Sequence, residues 1–203
     1  MVATEYPNGD YNCNMLPTLP GKVFFAMDRE DAMQEMRRRV RDFWCYVQEN
    51  FPWGRNYRLK NICTLPGIRE SFRVECRYML NENDLIAGLK DQEHRDLIVI
   101  ADHGMDLHGS KNPKRIVYPY GIPYRCLLPE GTDNLLVAGR IAGFSCLAAS
   151  SCRLSRTIIR LCEAAGFAAA MAAREKQPPH RIEAQKFQER MHLKEEISNT
   201  GRS

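Results

Sequence analysis

The spacing of hydrophobic and polar positions changes period several times along the chain. Residues 1–20 are rich in Pro, Asn and Gly and predict irregular backbone, after which the apolar run Lys22 to Met27 predicts a short strand. Met33, Met36, Val40, Phe43, Trp44 and Val47 recur at helical spacing, which predicts a helix over about 29–50 with one buried face. Asp28 is placed to cap it, with Asp31 as a reciprocal acidic partner, and Pro52 closes it. Leu59 to Leu65 predicts a strand closed by Pro66-Gly67. From Phe72 the chain alternates: Phe72, Val74, Cys76, Tyr78 and Leu80 fall on one face, Arg73, Glu75, Arg77 and Met79 on the other. That is the pattern of a half-buried strand. Asn81 then caps a short helix ending near Gly88, and Leu97 to Ala101 predicts another strand before a His- and Gly-bearing loop through Ser110.

The second half reads differently. Pro119 to Pro123 predicts a turn, Tyr124 to Leu128 an extended segment, and Pro129-Glu130-Gly131 a further turn. Leu135-Leu136-Val137-Ala138 is an unbroken apolar run ended by Gly139, as expected of a strand buried on both faces. A loop of small residues over 141–152 leads to a helix over about 153–174, whose Ala/Gly-rich face allows close approach of another backbone or a flat ligand. A weak amphipathic helix is expected over about 181–196.

Composition narrows the class. The 203 residues are 44% hydrophobic, 9% aromatic and 27% charged, enough apolar content for a core and too much for a disordered chain. The net charge of +4 is modest, and the cluster Arg37, Arg38, Arg39 and Arg41 lies within the helical pattern as a solvated face. No aromatic–basic interleaving suggests nucleic acid. The eight cysteines include no C-x-x-C pair or zinc-like spacing, so no metal site is expected. The N-terminal residues carry no signal-peptide pattern, and no apolar run reaches the ~18 residues of a spanning helix. A cytoplasmic protein with reduced cysteines and no membrane partner is the expectation.

Chemistry is most legible at 134–174. A buried strand, a turn at Gly139-Arg140 and a loop of Gly, Ser and Ala before a helix match the place where open α/β sheets bind ligands, beyond strand ends and at helix N-termini. Gly143, Ser145, Ser150 and Ser151 supply small side chains there. Tight packing of a helix on a sheet accounts for the same residues equally well.

The segment Ile122 to Arg140, IPYRCLLPEGTDNLLVAGR, resembles the C-terminal signature of a family of FAD-dependent oxidoreductases with the two-domain architecture of glutathione reductase and the succinate dehydrogenase flavoprotein. Arg153 and the run Glu163 to Ala170 resemble that family's last flavin-contacting helix. Upstream, Gly67-Ile68-Arg69-Glu70-Ser71 is similar to its Gly-x-Arg-Glu-Ser/Thr segment, and Asp106-Leu107-His108 to an Asp-Ile-His element on the substrate side. The resemblance covers roughly 60–175. It implies an α/β fold: an α+β substrate-domain portion over 1–120, the C-terminal strand and helix of a Rossmann-like FAD-binding domain over 121–175, and a polar helix or tail over 176–203. It also implies FAD as cofactor, contacted by Gly139, Arg140, Ser151 and Arg153, with Ala142 and Gly143 as backbone contacts. His108, Arg69, Glu70 and Arg125 fall on the catalytic side, acting on a small-molecule substrate by flavin-mediated hydride transfer.

One element of the family pattern is missing from the sequence. There is no Gly-x-Gly-x-x-Gly turn between a strand and a helix, the device that binds the ADP half of FAD. The expectation is therefore a C-terminal part of such an enzyme with an incomplete FAD site, inactive alone. Its expected partners are a second copy or a chain supplying the N-terminal FAD-binding segment. The alternative is a non-catalytic subunit or remnant completing a separately encoded flavin-binding chain. A hydrolase is disfavoured because no G-x-S-x-G elbow occurs.

Overall fold

The structure, a computed structural model, describes residues 2–14, 16, 18–69, 71–106 and 119–193. The chain divides into two compact units, Met1–Arg69 and Glu70–Ser203.

In the first unit, β1 (Val2–Glu5) and β2 (Tyr11–Asn14) form an antiparallel hairpin, with Glu5 opposite Tyr11. Gly9 takes the left-handed conformation its turn needs, at φ 79°. The run expected as a strand is instead a helix, α1 (Gly21–Ala26). Pro20 enters it with φ −60°, and its carbonyl accepts from Val23 and Phe24 N–H, so a turn is nucleated where no neighbouring strand offers a ladder. Helix α2 (Arg29–Asn50) forms where the periodicity placed it, capped by the Asp28 carboxylate accepting from Glu30 N–H at 2.8 Å. Its apolar stripe is only partly covered: Ala32, Met33 and Val47 are buried, whereas Phe43 is exposed. The basic cluster is a surface ion-pair ladder, with Arg38 bound to Glu35 and Asp42 and Arg39 to Glu35. These arginines lower the Glu35 carboxyl to about 2. Residues 59–65 form no strand; the neighbouring rings Tyr11, Tyr57, Trp53, Phe51 and Tyr46 instead contact one another in sequence, edge-on or tilted.

The second unit holds the core. Helix α3 (Glu82–Asp91) begins with a full capping box: the Asn81 side chain accepts from Asn83 N–H, and the Asp84 carboxylate accepts from Asn81 N–H. Gly88, at φ 65°, kinks its last turn. Strand β3 (Leu97–Ala101) pairs antiparallel with β4 (Tyr120–Pro123), with a register irregularity between Leu97 and Val99. The second strand replaces the turn expected at 119–123. Gln92 imitates a further strand on β4: its amide donates to Gly121 O at 3.0 Å and accepts from Gly121 N–H at 2.6 Å. Residues 124–127, expected as extended, form a single 3₁₀ turn. The expected helix at 153–174 is α5 (Ser155–Glu175), whereas α4 (Cys146–Cys152) forms inside the loop expected over 141–152, and the two part at Arg153-Leu154. A short helix, α6 (Gln185–Gln188), comes after a 3₁₀ turn at Pro179–Arg181.

This architecture corrects the expected fold class. The described residues are mostly helical, with only two small two-stranded antiparallel sheets, and they contain no Rossmann-like parallel sheet. The run Leu135 to Ala138 is irregular, Leu135 is half exposed, and Val137 N–H bonds to Leu127 O. Apolarity on both faces marks a central strand only when neighbouring strands lie on both edges, and no ladder forms here. The alternating segment 72–80 likewise makes isolated bridges, Cys76 with Pro129 and Leu80 with Phe144, instead of a strand. Phe72, expected on its buried face, is 76% exposed.

Leu80, Leu85, Ile98, Ile122, Leu127, Phe144 and Leu161 are fully buried in one cluster. Leu80→Ala should therefore cost about 2–5 kcal/mol in denaturant unfolding. Ile159→Ala, on the exposed face of α5, should stay within about 0.5 kcal/mol. Equal effects of the two would mean that the core does not sit at Leu80.

Candidate functional site

The site-bearing region is a weave of three extended segments joined by backbone hydrogen bonds. Arg77 N–H bonds to Leu128 O and Glu130 N–H to Glu75 O, both at 2.8–2.9 Å. Val74 N–H reaches Ile141 O, Leu80 N–H reaches Gly143 O, and Gly143 N–H reaches Cys126 O. Gly143 sits where the segments cross. A Cβ there would strike the Tyr78 carbonyl and lie 2.8 Å from Cys76 Cβ and 3.1 Å from Cys126 O. Ala142 and Phe144 beside it are fully buried. Gly139 ends the preceding segment at φ 97°, and a Cβ built on it would meet nothing within 4 Å. That conformation favours glycine, and its outer side is open. Arg140, next to it, is exposed.

Beyond the crossing, Ser145 N–H bonds to Leu80 O, and the Ser145 hydroxyl caps α4 by accepting from Ala148 N–H at 3.1 Å. At the other end of α4, Ser151 is fully buried, and its hydroxyl donates to His103 O. Its one proton is thereby committed, so the Tyr120 hydroxyl donates to Ser151 Oγ and the Cys152 thiol lies 3.4 Å from the same phenol oxygen. Arg153, in the break before α5, donates to Asp106 at 2.8 Å with its side chain only 14% exposed. Arg156, one turn on, pairs with Asp102 at 2.5 Å. The segment 102–106 is thus held to the α4–α5 junction along its length.

Arg125 belongs to a separate network. Its Nε and Nη2 donate to the Asp96 carboxylate at 3.0 and 3.2 Å, Asp96 also takes Arg125 N–H, and the guanidinium lies over the Tyr78 ring at 5.0 Å. The Asp96 hydrogen bond raises the guanidinium pKa further. The Tyr78 hydroxyl donates to Asp84, which also accepts from Asn81 N–H and lies 2.9 Å from His94 Nε2. Burial, then the Asp84 carboxylate, raise the Tyr78 phenol pKa.

Gly139, Arg140, Ala142, Gly143, Ser151 and Arg153 all fall in the second unit, as does Arg125. Of these, Gly139 and Arg140 reach the surface, Arg153 is slightly exposed, and Ala142, Gly143 and Ser151 are interior. Arg69 is the last residue of the first unit and is half-buried. Glu70 and His108 lie outside the described residues. His94, Asp84 and Asp96 were not singled out in the sequence. The available signal was Asp84 at the third position of a capping box, close in sequence to a His-x-Asp pair. Among the described residues no group of His, Cys, Asp and Glu is placed to hold a metal ion.

The model of one protein family, FAD dependent oxidoreductase, matches residues 1–191. The chain belongs to that family. The match corrects the extent of the resemblance: confined to about 60–175 and read as the family's C-terminal part alone, it in fact begins at residue 1 and covers nearly the whole sequence. Comparisons with curated proteins and with solved structures returned no match. No helix of the described residues in this family member is long and apolar enough to cross a membrane.

The left-handed Gly139 turn with open space beside it and the exposed Arg140 fit an anionic group such as a phosphate of FAD, the cofactor the family implies, whereas the Arg153 guanidinium is largely buried and paired with Asp106. The Ser151 hydroxyl is buried and engaged by His103 O and the Tyr120 hydroxyl.

The interior phenols and thiols set the alkaline limit. Burial pushes Cys76 up to about 11 and Cys152 up to about 12, and raises Tyr120 and Tyr124 well above the usual phenol range. Each group's folded pKa lies above its unfolded value. Its contribution to stability is therefore complete below the unfolded pKa, about 8.5 for thiols and 10 for phenols, and is lost as pH rises towards the folded value. Unfolding free energy should fall steadily above about pH 9, with Tyr120 and Tyr124 ionising only as the fold is lost. An ultraviolet phenolate titration run beside circular dichroism checks this, and full tyrosine ionisation in the folded protein would contradict it. Gly143→Ala should destabilise by about 1–3 kcal/mol or more, because the new methyl meets backbone carbonyls that cannot move aside independently.

Proposed function

We propose that this family member takes part in flavin-dependent oxidation–reduction of a small-molecule substrate, with the Gly139-Arg140 turn and Arg153 as the cofactor-facing surface. The observation that carries the reading is the family match over residues 1–191, joined to an open glycine turn flanked by arginine. FAD, when bound, supplies the two-electron hydride acceptor or donor, chemistry that no side chain can provide. The chain's own residues bind and orient. Gly139 lets the backbone approach a ring or phosphate closely, since no side chain stands in the way. Arg140 favours negative charge beside that turn, and Arg153, held by Asp106, is assigned to the cofactor by the resemblance of its helix. Ala142, Gly143 and Ser151 act from behind, the first two by close packing and Ser151 by holding the His103 carbonyl. Arg69, Glu70 and His108 are assigned to the substrate side by the resemblance of their segments. Histidine suits proton transfer near neutrality. Arg125 is assigned there too, its position set by Asp96 and Tyr78.

The test is flavin retention. The purified chain is mixed with excess FAD, freed of unbound cofactor and assayed for bound flavin by absorbance and fluorescence quenching. Flavin retained by the chain supports the reading, and Arg140→Ala should weaken its affinity about tenfold or more, the effect of losing one charge-assisted contact. Arg156→Ala, whose partner is Asp102 and whose side chain is well exposed, should leave affinity within about twofold. Flavin binding indifferent to Arg140 would remove this turn from the cofactor surface.

A further inference from the structure

The network around His94 has a property that the flavin reading does not use. His94 is largely buried, with its side chain 15% exposed, and sits between two groups of opposite character. Its Nε2 lies 2.9 Å from the Asp84 carboxylate, and its Nδ1 lies 3.2 Å from Arg125 Nη2. A guanidinium nitrogen can only donate, so Nδ1 must accept, and the ring proton must be on Nε2 and donated to Asp84. The contacts therefore select one neutral tautomer. The Tyr78 ring meets the imidazole edge-on with centroids 4.6 Å apart, which restricts its rotation.

We propose that His94 is a proton-responsive latch between α3 and the 124–127 turn. A proton taken up at Nδ1 converts the acceptor facing Arg125 into a donor and places two cations in contact. The His94–Arg125 bond cannot survive that change, whereas the His94–Asp84 contact is strengthened by it. Every described group around the ring bears on the outcome. Asp84 comes from α3, Tyr78 from the 74–80 segment, Arg125 and the interior Cys126 from the turn, and Asp96 from the loop of His94 itself. Glu93 and Arg95, adjacent in the chain, are exposed. Asp96 retains Arg125 after the switch, so the guanidinium shifts without being expelled. The change is delivered to the candidate site's support, because Cys126, next to Arg125, holds Gly143 N–H through its carbonyl at 2.8 Å.

Long-range proton–nitrogen NMR of the full chain, recorded as the pH is lowered from about 8, tests this. At pH 8 the His94 ring should show a protonated Nε2 and a bare Nδ1. As Nδ1 gains its proton, the Arg125 Nε–H resonance should shift with the same midpoint. His94→Gln keeps a donor for Asp84 but cannot titrate, and should abolish that shift while the protein stays folded. An Nδ1–H tautomer at pH 8 would overturn the proposal. So would Arg125 signals unmoved through the His94 titration, or a shift that persists in His94→Gln.

Discussion

The second unit is organised by one close backbone crossing. At Gly143 the chain passes against the Tyr78 carbonyl and the Cys76 side chain, and binds Cys126 O and Leu80 N–H with its own peptide groups. Three segments that form no regular ladder thereby satisfy their polar groups with each other, which a buried backbone requires. The crossing also sets the direction of the chain beyond it. Phe144 drops into the core, Ser145 N–H takes Leu80 O, and the Ser145 hydroxyl starts α4. A side chain at 143 would push these segments apart, and the start of α4 would move with them.

Interior polarity is handled by saturating each acceptor. Asp84 takes protons from Tyr78, Asn81 and His94, and Asp96 takes the guanidinium and backbone N–H of Arg125. The Ser151 hydroxyl donates a hydrogen bond to His103 O and accepts one from the Tyr120 hydroxyl. Among the described residues no buried side-chain nitrogen or oxygen lacks a partner. This matters for function because isolated buried charges are costly, whereas paired ones hold loops in one arrangement. Segment 102–106 is held in this way to the α4–α5 junction by Asp102, His103 O and Asp106.

The features legible in the sequence were those decided locally. The 29–50 helix announces itself by apolar spacing and Asp28, the α3 cap by Asn81 and Asp84, and β3 by five consecutive apolar residues. Where the reading failed, partners distant in sequence decided. Lys22 to Met27 and Leu135 to Ala138 are equally apolar, yet neither finds a strand to pair with, and one coils while the other stays irregular. Helix α4 forms in the stretch 141–152 that reads as a loop, and Arg153 at its end is engaged by Asp106, 47 positions away. Ser151 was assigned to cofactor contact by the family resemblance. Only its distance from Tyr120 and His103 shows that it points inward. For His94 the local His-x-Asp pair was too weak a mark, since its neighbours Asp84, Tyr78 and Arg125 come together only through the weave.

Gly139 and Gly143 make the same point about the candidate site itself. In the sequence one closes an apolar run and the other lies in the small-residue loop that follows, and nothing local says why either is glycine. In the structure they are glycines for opposite reasons. Gly143 lacks a side chain because protein fills the space, and it has an ordinary backbone conformation; Gly139 has open space beside it but a φ of 97°. The first serves packing, and its replacement is felt as strain in the core. The second shapes a turn whose outer side remains accessible, and accessibility is what a cofactor needs. Family membership says that FAD belongs to this kind of protein. The contrast between the two glycines is one of space: another group can approach the backbone at Gly139, whereas protein already fills that space at Gly143.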